Sequence, residues 1–177
     1  MHIPLEPERG KASWLGPSGI LTSMGEEEVR KKIMRGLEEV NYAVGMNNHM
    51  GSKAMKDEKI VNIITDIARE KNLFFLDSKT TEIILSKRLC EQKEVFFLER
   101  DIFLDNEKSV ISVKKQMNKL GDIALEKGYA IAIGHVGIGG NATVQGIKES
   151  IATLEEKGIK FITLKQLNDK NIPRNKQ

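Results

Sequence analysis

Short apolar runs alternate along this chain with longer stretches in which apolar residues recur every three or four positions. The runs at residues 73–76, 95–98 and 129–133 are apolar at consecutive positions, which is typical of parallel strands covered on both faces. The stretches between them have the period of helices that bury one face. The pattern therefore predicts an α/β fold built from repeated strand–helix units with mostly parallel strands.

The boundaries of these units follow from local signals. Ser23 followed by Glu26 predicts a capping box at the start of the first helix. An acidic residue, a lysine and then asparagine or glycine end the stretches at residues 70–72, 126–128 and 156–158, as expected of helix-to-strand turns. The predicted helices span residues 26–40, 57–70, 81–91 and 108–127. The predicted strands span residues 1–5, 42–46, 73–76, 95–98, 129–133 and 159–164.

Residues able to do chemistry follow the predicted strands directly. In a parallel α/β fold the carboxyl ends of the strands meet on one face, where ligands bind. We therefore expect polar residues that are distant in sequence to gather at one pocket. These residues are Asn47, Asn48, His49 and Ser52 after one strand, Asp77 and Ser78 after the next, Arg100, Asp101 and Asp105 after a third, and His135 after a fourth.

The three histidines, His2, His49 and His135, each close an apolar segment. Imidazole is a common metal ligand and proton carrier near neutral pH, so this placement predicts a polar pocket able to hold a metal ion. Carboxylates at strand ends, such as Asp77 and Asp101, can orient an imidazole, bind a metal or accept a proton. Asp101 also has an alternative interpretation as half of a structural arginine–aspartate pair.

Two of these segments have other interpretations as helix caps. The polar segment after the second strand can be a turn in which Asn48 or Ser52 caps the next helix. The glycines at residues 139–140 open a further helix whose N–H groups could hold an anion. The alternative there is a cap by Asn141 or Thr143.

Composition narrows the class of protein. The chain has 177 residues, of which 40% are hydrophobic and 30% charged, as in a soluble globular domain with one buried core. We therefore predict a single domain over residues 1–167 and a polar carboxyl-terminal tail over residues 168–177.

Charge and cysteine content exclude several functions. The formal charge of +3 comes from 28 basic and 25 acidic residues that interleave along helices, without the basic stripe of a nucleic-acid-binding protein. No apolar run is long enough to span a membrane, and no export signal is visible. The single cysteine, Cys90, is predicted to be a buried, unreactive thiol. The sequence does not indicate an oligomeric state.

Several segments, taken in order, resemble the divergent polysaccharide deacetylase family. The most specific is Gly45-Met-Asn-Asn-His-Met-Gly-Ser52. The others are His2-Ile-Pro-Leu-Glu6-Pro, Phe75-Leu-Asp-Ser-Lys-Thr80-Thr, Arg100-Asp-Ile-Phe-Leu-Asp105 and Ala132-Ile-Gly-His135. The resemblance covers most of the chain. It implies an irregular (β/α) barrel, similar to that of the carbohydrate esterases that use a divalent metal.

The resemblance also implies an activity and residue roles. It implies hydrolysis of acetamide groups on an N-acetylated carbohydrate polymer of the cell envelope, and thus a location outside the cytoplasm. His2 and His49 would bind zinc or another divalent metal. His135 would be the general acid, with Asp101 and Asp77 as further catalytic residues. The implied substrate-binding residues are Asn47, Asn48, Ser52, Ser78 and Arg100.

The sequence departs from the family pattern in two places. The family opens with a strand that ends in paired aspartates, whereas the first aspartate here is Asp57, and the usual closely spaced histidine pair is absent around His2. We therefore expect that the first strand–helix unit is missing, that zinc binds weakly and that turnover is low, because a catalytic zinc needs three protein ligands. The alternatives are a non-catalytic carbohydrate-binding or interaction protein of the envelope with the same barrel, and a βα-barrel esterase or phosphate-ligand enzyme.

Overall fold

A computed structural model describes the protein at residues 1–83, 85–137 and 139–169. These residues form two compact units. The first unit consists of Met1–Glu99 and the residues from Leu164 onward, and the second consists of Arg100–Thr163. Each unit has a sheet and a buried hydrophobic cluster of its own.

The first unit contains a four-stranded parallel sheet. Its strands lie in the order β1–β2–β3–β4, the order of the sequence. The strands are β1 (His2–Leu5), β2 (Gly45–Met50), β3 (Phe74–Asp77) and β4 (Phe97–Glu99). The helices are α1 (Glu26–Glu39), α2 (Glu58–Glu70), α3 (Leu85–Gln92) and α6 (Leu164–Asp169), with short 3-10 turns at Ala12–Leu15 and Ala54–Lys56.

One face of this sheet carries the core of the first unit. Ile3 and Leu5 of β1, Met46 of β2 and Phe75 of β3 are almost fully buried, and they cluster with apolar residues of α1 and α2. Alternate residues of a strand face opposite sides of the sheet, so the residues between them point to the other face. Asp57 fixes the start of α2, since its carboxylate accepts a hydrogen bond from the Ile60 N–H at 3.1 Å.

The second unit pairs two short strands with two long helices. Strands β5 (Ile102–Phe103) and β6 (Ala132–Ile133) are parallel, and the helices are α4 (Val110–Lys127) and α5 (Gly140–Glu156). Glycines let the helices approach closely. A Cβ atom added at Gly146 of α5 would lie 2.6 Å from Val113 of α4, and one at Gly121 of α4 would lie 2.7 Å from Leu154 of α5.

The predicted fold class is confirmed. Every strand pair within the described ranges is parallel, and α1, α2 and α4 begin and end within two residues of their predicted bounds. Asn72, Gly128 and Gly158 have positive φ angles of 52°, 90° and 84°, as the repeated helix endings predict. The barrel that the family resemblance implies stays a prediction.

Other local predictions are wrong. The capping box fails because α1 begins after Gly25, which makes no side-chain cap, and the acidic first turn instead complements the helix dipole. The strand predicted at residues 42–46 begins only at Gly45, and Tyr42 is 92% exposed in a turn. The polar residues that follow therefore lie inside β2.

The strand predicted at residues 159–164 is also wrong. No strand is assigned there, and α6 begins at Leu164. Ile159 instead packs against the hydrophobic cluster of α4 and α5. This apolar residue therefore contributes to helix packing and not to a sheet.

The predicted domain boundaries are only partly described. Asn168 and Asp169 of the predicted tail close α6, and residues 170–177 lie outside the described residues. The prediction of a single domain over residues 1–167 stays a prediction. Of the helices in the described ranges, none combines the length and the apolar character needed to cross a membrane.

Candidate functional site

Three polar side chains share the face of the first sheet that lies opposite its core. In the parallel register of β1 and β2, His2 lies beside Asn47 and Pro4 lies beside His49. Because alternate residues share a face, His2, Asn47 and His49 point the same way. The rings of His2 and His49 are 4.9 Å apart between centroids and tilted by 58°. The two predicted metal ligands are therefore neighbours.

Asn47 connects this face to the end of β3. Its Oδ1 lies 2.6 Å from His2 Nδ1, and its Nδ2 donates a hydrogen bond of 3.0 Å to Ser78 Oγ. Both contacts are made by one short side chain that is partly buried. Asn47 therefore holds the ring of His2 in a fixed orientation relative to the strand.

Asn48 is buried on the core side and makes structural hydrogen bonds. It is 1% exposed. Its Oδ1 accepts from the Ser78 N–H at 2.8 Å, and its Nδ2 donates to Met50 O at 2.9 Å and to Thr80 Oγ1 at 3.3 Å. Ser78, which is 3% exposed, also donates through its hydroxyl to Asn48 O at 2.6 Å. These two predicted substrate-binding residues tie the ends of β2 and β3 together.

Asp77 points away from the histidine pair. Asn47 lies beside Leu76 in the register of β2 and β3, so the next residue, Asp77, points to the opposite face. Its side chain accepts hydrogen bonds from the Ser86 hydroxyl of α3 and from the Lys79 N–H. Asp77 is 3% exposed, and in this position it anchors α3 to the sheet.

Cys90 lies close to this buried carboxylate. It is fully buried, as the sequence predicts. Burial, reinforced by the negative charge of Asp77, raises the pKa of the Cys90 thiol to about 12. A thiol that stays protonated is a poor nucleophile, so Cys90 is a packing residue.

Ser52 fixes the long segment that follows β1. Its hydroxyl accepts a hydrogen bond from the Glu8 N–H at 2.9 Å. Glu6 receives bonds from Lys53 Nζ at 2.7 Å and from the Thr22 N–H at 2.7 Å, and the Lys53 bond is the main reason that the pKa of Glu6 is lowered. The predicted caps by Asn48 or Ser52 are wrong, since Asp57 caps α2.

Among the described residues, no third metal-binding side chain joins the pair formed by His2 and His49. Across residues 1–83, 85–137 and 139–169, no group of three or more histidine, cysteine, aspartate or glutamate residues is placed to hold a metal ion. Zinc in a catalytic site takes three protein ligands and leaves a fourth position open. His2 and His49 would together supply at most two of these ligands, and a further donor would be needed.

In the second unit, a buried carboxylate supports an exposed imidazole. Asp105 Oδ1 lies 2.9 Å from His135 Nδ1, and Asp105 Oδ2 accepts a hydrogen bond of 2.5 Å from the His135 backbone N–H. The side chain of Asp105 is 4% exposed, whereas that of His135 is 57% exposed. Asp105 thus orients the ring and leaves the opposite edge, Nε2, toward solvent.

Thr143 completes the environment of this carboxylate. Its hydroxyl donates to Asp105 Oδ2 at 3.1 Å. Burial alone would raise the pKa of Asp105, but the hydrogen bonds from His135 and Thr143 outweigh it and hold the pKa below its usual value. The alternative cap by Asn141 or Thr143 is wrong, because α5 begins after Gly139 without a side-chain cap.

The Phe103 ring contacts both His135 and Arg100. The Phe103 ring stacks on the His135 ring, with 5.9 Å between centroids and 29° between planes. The Arg100 guanidinium lies 3.6 Å from the centre of the Phe103 ring, within the range of a cation–π contact. Phe103 is therefore a contact that His135 and Arg100 share.

Asp101 has a different position from the one expected of a catalytic carboxylate. Its Oδ1 pairs with Lys127 Nζ at 2.9 Å, and its Oδ2 accepts from the Ile131 N–H at 2.8 Å. These bonds join the residue before β5 to the end of α4 and to the segment between α4 and β6. Asp101 thus fixes the backbone of the sheet, and Asp105 is the carboxylate beside His135.

The register of the short sheet explains why Asp105 and His135 meet. Phe103 lies beside Ile133, and Asp105 and His135 each follow two residues later, so they leave the sheet side by side. The sequence placed Asp105 near a strand end but did not pair it with His135, because β5 is only two residues long and was not predicted as a strand of its own. The contribution of Thr143 had no sequence signal beyond its place near the start of a helix.

The protein thus has an α/β fold with parallel strands. Asn47 orients His2 at one strand, and Asp105 orients His135 after another. The sequence profile of the divergent polysaccharide deacetylases matches residues 1–168. The chain belongs to the divergent polysaccharide deacetylase family.

Two bacterial proteins without an assigned function are similar in sequence. One, from Haemophilus influenzae (strain ATCC 51907 / DSM 11121 / KW20 / Rd), is 33% identical over 135 residues, which are 76% of this chain and 48% of that protein. The other, the uncharacterized protein YibQ of Escherichia coli (strain K12), is 31% identical over 135 residues, which are 76% of this chain and 42% of that protein. The matched region is thus less than half of the length of either relative.

A solved structure has the same fold. The crystal structure of the uncharacterized protein ATU2773 from Agrobacterium tumefaciens C58 matches with a TM-score of 0.86. The match covers 94% of this chain and 66% of that chain, at 21% sequence identity. At this identity the likeness supports the fold alone.

Proposed function

We propose that this protein is a hydrolase that removes acetyl groups from an N-acetylated carbohydrate polymer of the cell envelope, outside the cytoplasm. Membership of the divergent polysaccharide deacetylase family supports the reaction class. The observation that carries the proposal is the buried Asp105 carboxylate that holds the exposed His135 ring through Nδ1. This arrangement is suited to a proton transfer at Nε2.

His135 is the proposed general acid. Asp105 can only accept when it is ionised, so His135 Nδ1 carries a proton and the carboxylate stabilises the ring when Nε2 is protonated as well. When the tetrahedral intermediate of amide hydrolysis collapses, the C–N bond breaks and the proton on Nε2 passes to the departing amine. Nδ1 keeps its proton throughout, as in other histidines oriented by a carboxylate.

Zinc or another divalent cation is the proposed cofactor, with His2 and His49 as two of its ligands. A bound divalent cation supplies Lewis-acid polarisation of the acetamide carbonyl and activation of a water molecule. The separation of 4.9 Å between the two rings supports a shared cation. Because a third ligand is needed, we expect only weak zinc binding by this chain, and we assign no step to the metal.

The remaining predicted residues divide by their contacts. Arg100 is the proposed contact to the carbohydrate, since its guanidinium extends over Phe103 beside His135. The hydrogen bonds of Ser52, Ser78 and Asn48 support a role in shaping the strand ends rather than in touching substrate.

The test is acetate release from N-acetylglucosamine oligomers, measured with this chain and with a longer form of the protein over a range of zinc concentrations. His135→Ala should lower the rate by about 10²- to 10⁴-fold, the range for loss of a general acid. Val136→Ala is the matched control, because Val136 is the next residue and is 78% exposed. Acetate release that is equal in wild type and His135→Ala would refute the role of His135.

A second function is favoured by the incomplete ligand set. With two imidazoles and no third ligand in the described ranges, the protein could bind the carbohydrate without hydrolysing it. In that case the oligomers would bind to both forms of the protein, but no acetate would be released at any zinc concentration. Binding with release would exclude this alternative.

A further inference from the structure

We infer that Asn47 and Ser78 fix neutral His2 in the tautomer with its proton on Nδ1, which leaves the Nε2 lone pair for a divalent cation. Asn47 is then a positioning residue rather than a substrate contact. The tautomer follows from hydrogen-bond directions alone. Only the use of the lone pair for a cation depends on the proposed function.

A series of hydrogen bonds runs from Asn48 O through Ser78 and Asn47 to His2. The backbone carbonyl of Asn48 determines which group donates in each bond. Ser78 Oγ lies 2.6 Å from Asn48 O. A carbonyl oxygen can only accept, so the Ser78 hydroxyl donates its single proton there. The Ser78 oxygen can then accept a hydrogen bond from a further neighbour.

That neighbour is the amide of Asn47, whose orientation follows. The Asn47 amide group toward Ser78 Oγ, at 3.0 Å, must be the donating NH2. The same nitrogen also lies 3.5 Å from Asn48 O, an acceptor that would repel an amide oxygen. Ser78 Oγ and Asn48 O therefore place Nδ2 on this side and Oδ1 on the other.

The amide oxygen faces His2. Asn47 Oδ1 lies 2.6 Å from His2 Nδ1, and because an amide oxygen only accepts, Nδ1 must carry the proton. A neutral imidazole has one N–H, so Nε2 keeps its lone pair. Free neutral imidazole side chains in water favour the opposite tautomer, with the proton on Nε2. The structure thus selects the form in which Nε2 can bind a cation, the arrangement that hydrogen-bonded histidine ligands commonly have.

The experiment is long-range proton–nitrogen NMR of the histidine rings, a practical measurement because the sequence has three histidines. It is made near pH 8.5, about two units above the ordinary histidine pKa. In wild type, His2 should show a protonated Nδ1 and an unprotonated Nε2.

Asn47→Ala should lose the pattern and return His2 to the Nε2–H form that dominates in water. Thr80→Val is the matched control, because Thr80 accepts from Asn48 but takes no part in the chain to His2. A protonated Nε2 in wild type, or the same tautomer in wild type and Asn47→Ala, would overturn the inference.

Zinc chloride added to the same samples tests the use of the lone pair. Zinc should shift the His2 Nε2 resonance in wild type, with at least tenfold weaker binding in Asn47→Ala, as expected for loss of a partner that orients a ligand. If the tautomer is as inferred but zinc leaves Nε2 unchanged, the role as a cation ligand is overturned. Neither readout depends on acetate release, so the two proposals can fail separately.

Discussion

Replacing Asp105 with asparagine should destabilise the second unit by about 2 kcal/mol at neutral pH. The carboxylate accepts from the His135 N–H, the His135 ring and the Thr143 hydroxyl. Hydrogen bonds to a charged group contribute about 1.5–3 kcal/mol each. Asparagine keeps one oxygen, which can still accept from the backbone N–H and the hydroxyl, so about one charge-assisted bond is lost.

The difference between wild type and Asp105→Asn should disappear in acid. Because the pKa of Asp105 is lowered in the folded protein, its ionised form contributes stability that is fully present above the unfolded pKa of about 3.9 and is lost as the pH falls through the lower folded pKa. Other carboxyls, such as Glu6, also have a lowered pKa, but they are present in both proteins and cancel in the comparison.

Hydrogen exchange of the amides in α4 and α5 measures this stability within the second unit. At about pH 7, Asp105→Asn should increase the opening equilibrium roughly 30-fold, which corresponds to about 2 kcal/mol. As the pH falls below about 4, after correction for intrinsic exchange, the increase should become progressively smaller. An effect that is absent at neutral pH, or one that grows as the pH falls, would refute the assigned hydrogen bonds.

Three further changes test other contacts. Ser86→Ala removes the hydroxyl that donates to the buried Asp77 carboxylate and should lower the free energy of unfolding by about 2–3 kcal/mol. Urea unfolding, followed by the fluorescence of the single tryptophan, measures this change. An unchanged midpoint would contradict the prediction. Gly45→Ala places a Cβ atom 2.3 Å from the Phe74 ring and should destabilise by about 1–3 kcal/mol, whereas Gly137→Ala, which has open space, should not. Cys90, with its pKa raised to about 12, should resist iodoacetamide in the folded protein and react in urea; rapid labelling without urea would show that it is accessible.

The sequence predicted the helices well because their signals are local. Left-handed residues such as Asn72 and Gly128 mark helix ends, as the acidic residue, lysine and asparagine or glycine at these positions indicate. These features depend on residues within one or two turns. Neighbouring strands were not needed to recognise them.

The polar part of β2 could not be predicted from local sequence. Asn47, Asn48 and His49 have the composition of a turn, yet they lie in a strand. Their place there depends on partners about thirty positions later, such as Ser78, which bonds to both asparagines. Such partners become visible only when β2 and β3 are aligned.

The candidate site shows the same limit. The sequence predicted His2, His49 and His135 as residues of a polar pocket, and the first two are neighbours. It emphasised Asp77 and Asp101 as carboxylates, but each is occupied by structural hydrogen bonds. Asp77 points away from the histidine pair because alternate residues of a strand face opposite sides. The Asp101 carboxylate is held by its bonds to Lys127 and the Ile131 N–H.

The central proposal, that the carboxylate and the imidazole act as one unit in amide hydrolysis, is tested most directly by a double-mutant cycle on acetate release. Rates are measured for wild type, Asp105→Asn, His135→Ala and the double variant. Because the carboxylate acts only through the ring, the double variant should be no slower than His135→Ala alone, within about threefold. Losses that multiply in the double variant would mean that the two residues contribute independently, and the proposed acid pair would be wrong.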